Sequence, residues 1–453
     1  MNRLKLLRAL VVMFGLAVPA GAQYAGPAIL SRGEAPAAMS TPTVDFAFSL
    51  SLTGNYTTGL LGVATNSQGQ LQSTNGVFGY GATVGLSGSH RWRHTTFGVQ
   101  YSGSFYDYPT ATYFAGLSQG LSLGLTHQFS RHVLFTLREA AGWYTQFPPA
   151  TVSLNSSVPF DPSQSNIPTT DFYDNRTIYS STLANFTYQA TTRLSFAFGG
   201  GYFTDLRRSA DLYSAKGEVA TADAQYRLSR RLTVGGTFGY DHFAFSGGVG
   251  GSDIYSGTVS LSARFTRWTE LSLFGGAARV ASSFEQVVPI NPAFLAILCP
   301  SGIVQTCNLP NTLAISNNLF WAPDFGIRLS RSFQRGVAYL AGGESITPGN
   351  GLFLTSRMES ASAGYGYSGL RKWSLNAGVV YARALSLGNI QGGYGGLSGT
   401  FAMSHELFSH ISFVASFYAT KYQSSSFSPY NRLIYTASIG LGYSSKNIPV
   451  RFF

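Results

Sequence analysis

One short turn recurs along this chain, always between segments in which apolar and small residues alternate. It reads Phe129-Ser130-Arg131-His132, Thr191-Thr192-Arg193-Leu194 and Leu228-Ser229-Arg230-Arg231. It returns as Phe265-Thr266-Arg267-Trp268, Leu329-Ser330-Arg331-Ser332, Leu370-Arg371-Lys372-Trp373 and Phe408-Ser409-His410-Ile411. Counted from Arg93, successive marker residues lie 38, 62, 37, 37, 64, 40 and 39 positions apart. Five intervals are near one length, and two carry roughly 25 additional residues. A unit of two strands, one tight turn and one longer loop is the repeat of an up-and-down β-barrel.

The segments between the turns have two faces. Leu232, Val234, Gly236, Phe238 and Tyr240 alternate with Thr233, Gly235, Thr237 and Gly239. Phe78, Tyr80, Ala82, Val84 and Leu86 alternate with Gly79, Gly81, Thr83 and Gly85, and Leu433 to Leu441 repeats the pattern. Period-two alternation places the two sets in different environments. The expectation is an all-β, single transmembrane antiparallel barrel of about 18 strands (range 16–18) between Val44 and Tyr443. An even count puts both termini and the tight turns in the periplasm and the longer loops outside.

Composition supports a wall against lipid. Hydrophobic and aromatic residues make up 44% and 14% of the chain, Gly numbers 52, and charged residues are 11%. A soluble domain carries about twice that charge fraction. In lipid every backbone polar group must be paired internally, which a closed barrel achieves. No apolar stretch beyond the leader approaches the length of a membrane helix.

The first residues read as an export signal. Arg3, Lys5 and Arg8 precede the apolar run Ala9–Val18, and Ala20-Gly21-Ala22 is a small-residue cleavage site. The expected division is a cleaved signal at 1–22, a flexible periplasmic lead at 23–43 and the barrel at 44–453. Formal charge is +11; without Arg3, Lys5 and Arg8 it is +8, from 27 basic and 19 acidic residues. The basic residues are spread over turns rather than gathered on one face, which argues against nucleic-acid binding. They read as turn residues near anionic headgroups, or as a positive rim favouring anions.

The two long intervals hold loops at about 146–175 and 283–318. The second contains Cys299 and Cys307, which read as a local disulfide in an exported chain. Its apolar run Ala293–Leu298 needs cover, so this loop is expected to pack into or over the barrel mouth.

The signal, the alternating strands and the terminal Phe453 resemble bacterial outer-membrane β-barrel proteins of the porin-like kind. That resemblance implies residence in the bacterial outer membrane and insertion by the barrel-assembly machinery, which reads a terminal aromatic residue. Pro449 is awkward in a paired strand, so the last full strand is expected to end near Tyr443.

Gly, Ser, Thr and Ala dominate the expected inner faces, which leaves room for a water-filled lumen. The charged lumen or rim candidates are Arg138, Arg193, Asp223, Arg227, Arg264, Asp324 and Arg328. Asp241-His242 invites an enzyme reading at the rim, with Asp107, Asp205 and Asp253 as loose partners. Adjacent strand residues point to opposite faces, so Asp241 and His242 cannot pair while extended. The seven histidines show no metal-ligand spacing. The expected function is a non-enzymatic channel, without cofactor, for small hydrophilic solutes, with weak anion preference. A surface scaffold or adhesin is the alternative, and a rim hydrolase the third reading.

Overall fold

A computed structural model describes residues 45–58, 76–110, 116–144, 176–209, 212–248, 250–289, 311–349, 351, 354–367, 369–387, 392–424, 433–445 and 448–449. The expected signal, the periplasmic lead, the 146–175 loop and both cysteines fall outside these residues.

The first nine strands are β1 (Asp45–Thr57), β2 (Val77–Arg91), β3 (Thr95–Asp107), β4 (Gly116–Gln128), β5 (Val133–Tyr144), β6 (Thr177–Gln189), β7 (Leu194–Arg207), β8 (Ala215–Arg227) and β9 (Leu232–Phe245). The chain continues through β10 (Gly250–Thr266), β11 (Thr269–Pro289), β12 (Asn311–Phe333), β13 (Gly336–Thr347), β14 (Ser356–Tyr367) and β15 (Trp373–Ser386). It ends with β16 (Gly393–Phe408), β17 (Ile411–Ser424), β18 (Leu433–Ser444) and the two-residue β19 (Ile448–Pro449). Each long strand pairs antiparallel with its sequence neighbours, and β1 pairs with both β2 and β18, which closes the sheet. The barrel therefore has 18 long strands, as the alternation implied. β19 adds a short pairing to Asp45 and Phe46 of β1, so the segment around Pro449 is a stub rather than a full strand.

The alternation sorts the faces. Phe78, Val259 and Leu433 are 74%, 69% and 62% exposed and lie on the outside, as do Phe198, Phe238 and Leu340. Closure removes the free edges that would leave backbone groups unpaired in lipid.

The recurring Ser or Thr has a structural reason. Its side-chain oxygen accepts the backbone N–H two residues on: His132 to Ser130 (3.1 Å), Arg193 to Thr191 (3.2 Å), Arg231 to Ser229 (3.2 Å) and Trp268 to Thr266 (3.2 Å). The hydroxyl adds a side-chain bond to turns that backbone bonds such as Thr191 N–H to Leu194 O (3.1 Å) and Ser229 N–H to Leu232 O (3.1 Å) also close. Not every marker follows this: the Leu370–Trp373 turn has no hydroxyl and is closed by the Trp373 N–H to the Leu370 carbonyl (3.2 Å), and Arg331 is not in a turn. Arg331 lies within β12, and the turn falls at Gln334-Arg335. Its guanidinium sits 5.1 Å from the centre of the Phe333 ring, an attraction that holds it along the strand.

The 283–318 loop is also corrected. The β11–β12 ladder continues to Pro289↔Asn311, so the connection is 290–310. Val287, Val288, Thr312 and Ile315 favour strand, which extends the hairpin. The neighbouring ladder is shorter: β12 leaves β13 after Phe325↔Glu344. Pro323, two residues beyond, has no N–H to offer a second partner.

Candidate functional site: the barrel mouth and lumen

Where β12 parts from β13, the β13–β14 hairpin bends inward. The evidence is a change of environment along one face. Leu340 is on the outer face and 51% exposed. Ile346, on the same face further up, packs against the buried apolar cluster that contains Phe203, Phe243, Ile254 and Val280. Those side chains alternate with outward-facing neighbours such as Tyr202, Phe238 and Tyr255, and so belong to the inner wall. The outer face of the hairpin tip thus lies on the inner face of β7–β11.

The tip between β13 and β14 is pinned at several points. Leu354 is fully buried in the apolar cluster on the inner wall. The Thr355 and Ser252 hydroxyls are 2.5 Å apart, joining the tip to β10. The Tyr213 N–H donates to the Gly351 carbonyl oxygen at 3.0 Å, joining it to the β7–β8 connection. Gly351 has φ +88°, and a Cβ there would lie 2.6 Å from Cδ and Nε of Arg207. Glycine serves both needs, a left-handed backbone and a close approach.

Charged groups cluster around this tip. Arg207 Nη2 and Asp205 Oδ2 are 2.6 Å apart, with both side chains almost completely buried. Arg357 lies 3.3 Å from Glu344 and 3.0 Å from Glu359, and Arg383 is 3.8 Å from Glu359. Glu344 and Asp324 are each 8% exposed, at the point where the wall splits. The short tip gave no sign in the sequence. It lacks the length and the apolar run that drew attention to 283–318, whose central residues 290–310 are not described.

The sequence-derived lumen candidates fall into two rows. Asp223, Thr237, Thr258, Gly276 and Asp324 are register partners across β8–β12. Arg227, Thr233, Ser262, Ser272 and Arg328 form a parallel row four residues nearer the short turns. The rows are about 13 Å apart along the strands. Arg264 pairs in register with Glu270, closer still to the turns. The acids stand above and the bases below. Asp223 and Asp324 are about 19 Å apart across four strand spacings, so the row does not bring them into contact. Asp223 accepts a hydrogen bond from the Thr237 hydroxyl at 2.5 Å. Arg138 faces inward from β5, apart from both rows. Arg193 stays in its turn, where its carbonyl accepts the Arg227 N–H at 2.8 Å.

Asp241 faces inward and His242 outward, so they do not pair. His242 Nδ1 instead lies 2.8 Å from Asp253 Oδ1, and the Tyr240 hydroxyl donates to the same oxygen at 2.9 Å. This His–Asp contact is on the outside of the wall, away from the lumen.

No family model matches the chain, and no curated protein matches its sequence. Solved structures similar in shape include OccAB4 of Acinetobacter baumannii, with TM-score 0.40 and 11% identity over 89% of this chain and 99% of that one. The outer membrane protein OpdK of Pseudomonas aeruginosa matches with TM-score 0.39 and 13% identity, over 88% of this chain and 99% of its own. The ferric citrate transporter FecA matches with TM-score 0.40 and 12% identity, over 85% of this chain and 60% of its own. The fold assignment stands on this chain's own closed sheet.

Proposed function

We propose that this chain is a bacterial outer-membrane channel for passive diffusion of small hydrophilic solutes, narrowed at its extracellular mouth by the β13–β14 tip. The observation that carries this reading is the closed 18-strand sheet, apolar outside and lined inside mainly by Gly, Ser, Thr and Ala. A barrel of this size is too wide for wall side chains to fill. The remaining space admits water and solutes, and the tip sets how much stays open.

Reconstitution of the full chain into planar bilayers tests the proposal. Stepwise, voltage-tolerant conductance is expected. A barrel shown to be folded by heat-modifiable gel mobility, yet giving no conductance, would reject the channel and favour the scaffold reading.

Ion preference follows the charge rows. Arg227, Arg264 and Arg328 surround the periplasmic end of the path and favour anions weakly there. Replacing Arg227 and Arg328 with Gln is expected to move the zero-current potential in a salt gradient toward cations by several millivolts. Asp324→Asn is expected to move it the other way. Coincident potentials for wild type and both variants would remove these rows from the conduction path.

A further inference from the structure

We infer that the inner wall beneath the β13–β14 tip binds a small organic cation, an ammonium joined to a ring or a branched alkyl group, which displaces the tip. This gives the proposed channel a solute class, and it rests on that reading only for entry through the lumen.

The wall here carries an apolar part and an ionic part side by side. Ile254, Val280 and Phe320 are register partners on β10, β11 and β12, and Asp241 on β9 continues their row. The next row down on the same face is Gly239, Ser256, Ala278 and Ala322. Asp324 follows Ala322 on that face, one row lower again. Two carboxylates therefore bracket a floor of small side chains, Asp241 above one end and Asp324 below the other. The inner face of a barrel is concave, so both side chains lean over this floor. Asp324 repels Asp241 across it and Glu344 on its other side.

Neither Asp241 nor Asp324 has a counter-charge. The Arg207 guanidinium is held by Asp205, and those of Arg357 and Arg383 by Glu344 and Glu359. Among the described residues no cation forms an ion pair with Asp241 or Asp324. Asp324 is 8% exposed, and its Oδ1 has no hydrogen-bond donor there. Carboxylates held close together and away from water are costly until a cation joins them.

The tip meets the apolar part alone. Leu354 is fully buried in the cluster with Ile254 and Val280, and Ile346 packs on it. The tip's hydroxyls are engaged elsewhere: Thr355 meets Ser252, and Ser356 donates to the Leu354 carbonyl at 2.7 Å. A ligand with both an apolar group and a positive charge matches both parts of the wall. Successive residues on one face are about 7 Å apart. A ring over Ile254 and Val280 thus places an ammonium on a short linker over Ser256, between the acids. A bare metal ion would use only the acids, and no group of three or more acids, histidines or cysteines among the described residues is arranged to hold one.

Calorimetric titration of the folded, full-length barrel in detergent tests the site, with phenethylammonium, 2-phenylethanol and ethylammonium as probes. Phenethylammonium should bind roughly tenfold tighter than the neutral alcohol, and tighter than ethylammonium, which lacks the ring. Asp241→Asn with Asp324→Asn should weaken it by a similar factor. Leu354→Ala removes the competing side chain and should strengthen it about threefold. Heat-modifiable mobility checks that each variant is folded. Equal binding of the ammonium and the alcohol would overturn the proposal, as would unchanged binding in the folded double variant. Weaker binding to Leu354→Ala would overturn displacement of the tip, and calcium binding at the acids that phenethylammonium does not compete with would overturn the organic ligand. Calorimetry needs no current. Binding without conductance would reject the channel and keep the site; conductance without binding would do the reverse.

Discussion

Deletion of residues 349–354 should raise single-channel conductance roughly twofold or more, because current follows the narrowest cross-section. The structure places the tip against the inner wall, with Leu354 inside the apolar cluster there. Its removal also withdraws Leu354 from the apolar cluster and frees the Tyr213 N–H. Both lie at the mouth, where water can replace the lost partners. The barrel ladders do not depend on them, so heat-modifiable mobility should persist. Gly351→Val tests the same element without shortening it. A β-branched residue at φ +88° is strained by about 1–3 kcal/mol, and its Cβ would collide with Arg207. The tip should then leave the wall part of the time, giving a noisier and larger conductance. Wild-type conductance in both folded variants would mean that the tip does not narrow the path.

Arg207→Met should destabilise the barrel by about 3–5 kcal/mol, since it leaves the Asp205 carboxylate buried without its counter-charge. The side chains of Arg207 and Asp205 are 6% and 2% exposed, so solvent offers Asp205 little compensation. The paired change Asp205→Asn with Arg207→Met should cost much less, because it removes the stranded charge. Urea unfolding in lipid vesicles, followed by tryptophan fluorescence, measures both. Equal losses for the single and double variants would show that the pair contributes by packing rather than by charge. Arg207 also lies under Gly351, so its loss should couple to the tip. The effects of Arg207→Met and the 349–354 deletion should not add.

Some of this was legible in the residues. Alternation in segments such as Leu232–Tyr240 and Leu433–Leu441 encodes two faces because successive strand side chains point oppositely. The Ser/Thr-Arg turn is local, since the hydroxyl and the N–H it accepts are two residues apart. Strand number and turn position follow from such short-range signals. Arg331 misled because the same residue types also occur within a strand, here four residues before the turn at Gln334-Arg335 is complete. The candidates Asp223, Arg227, Asp324 and Arg328 could be placed on the inner face one strand at a time. Their sorting into an acidic and a basic row could not, because it depends on register across five strands.

By itself, then, the sequence determined a closed antiparallel wall, its apolar and small-residue faces and the chemistry of its tight turns. Each of these rests on interactions within a few residues or on a period of two. The tertiary structure alone decided that, among the described connections, the short glycine-containing β13–β14 tip leans into the mouth. It did so because β12 parts from β13 beside Pro323 and lets the hairpin lean inward. It also alone brought Asp223 into line with Asp324, residues 101 positions apart in the chain. Cross-strand register is set by the closure of the whole sheet, and no local pattern carries it.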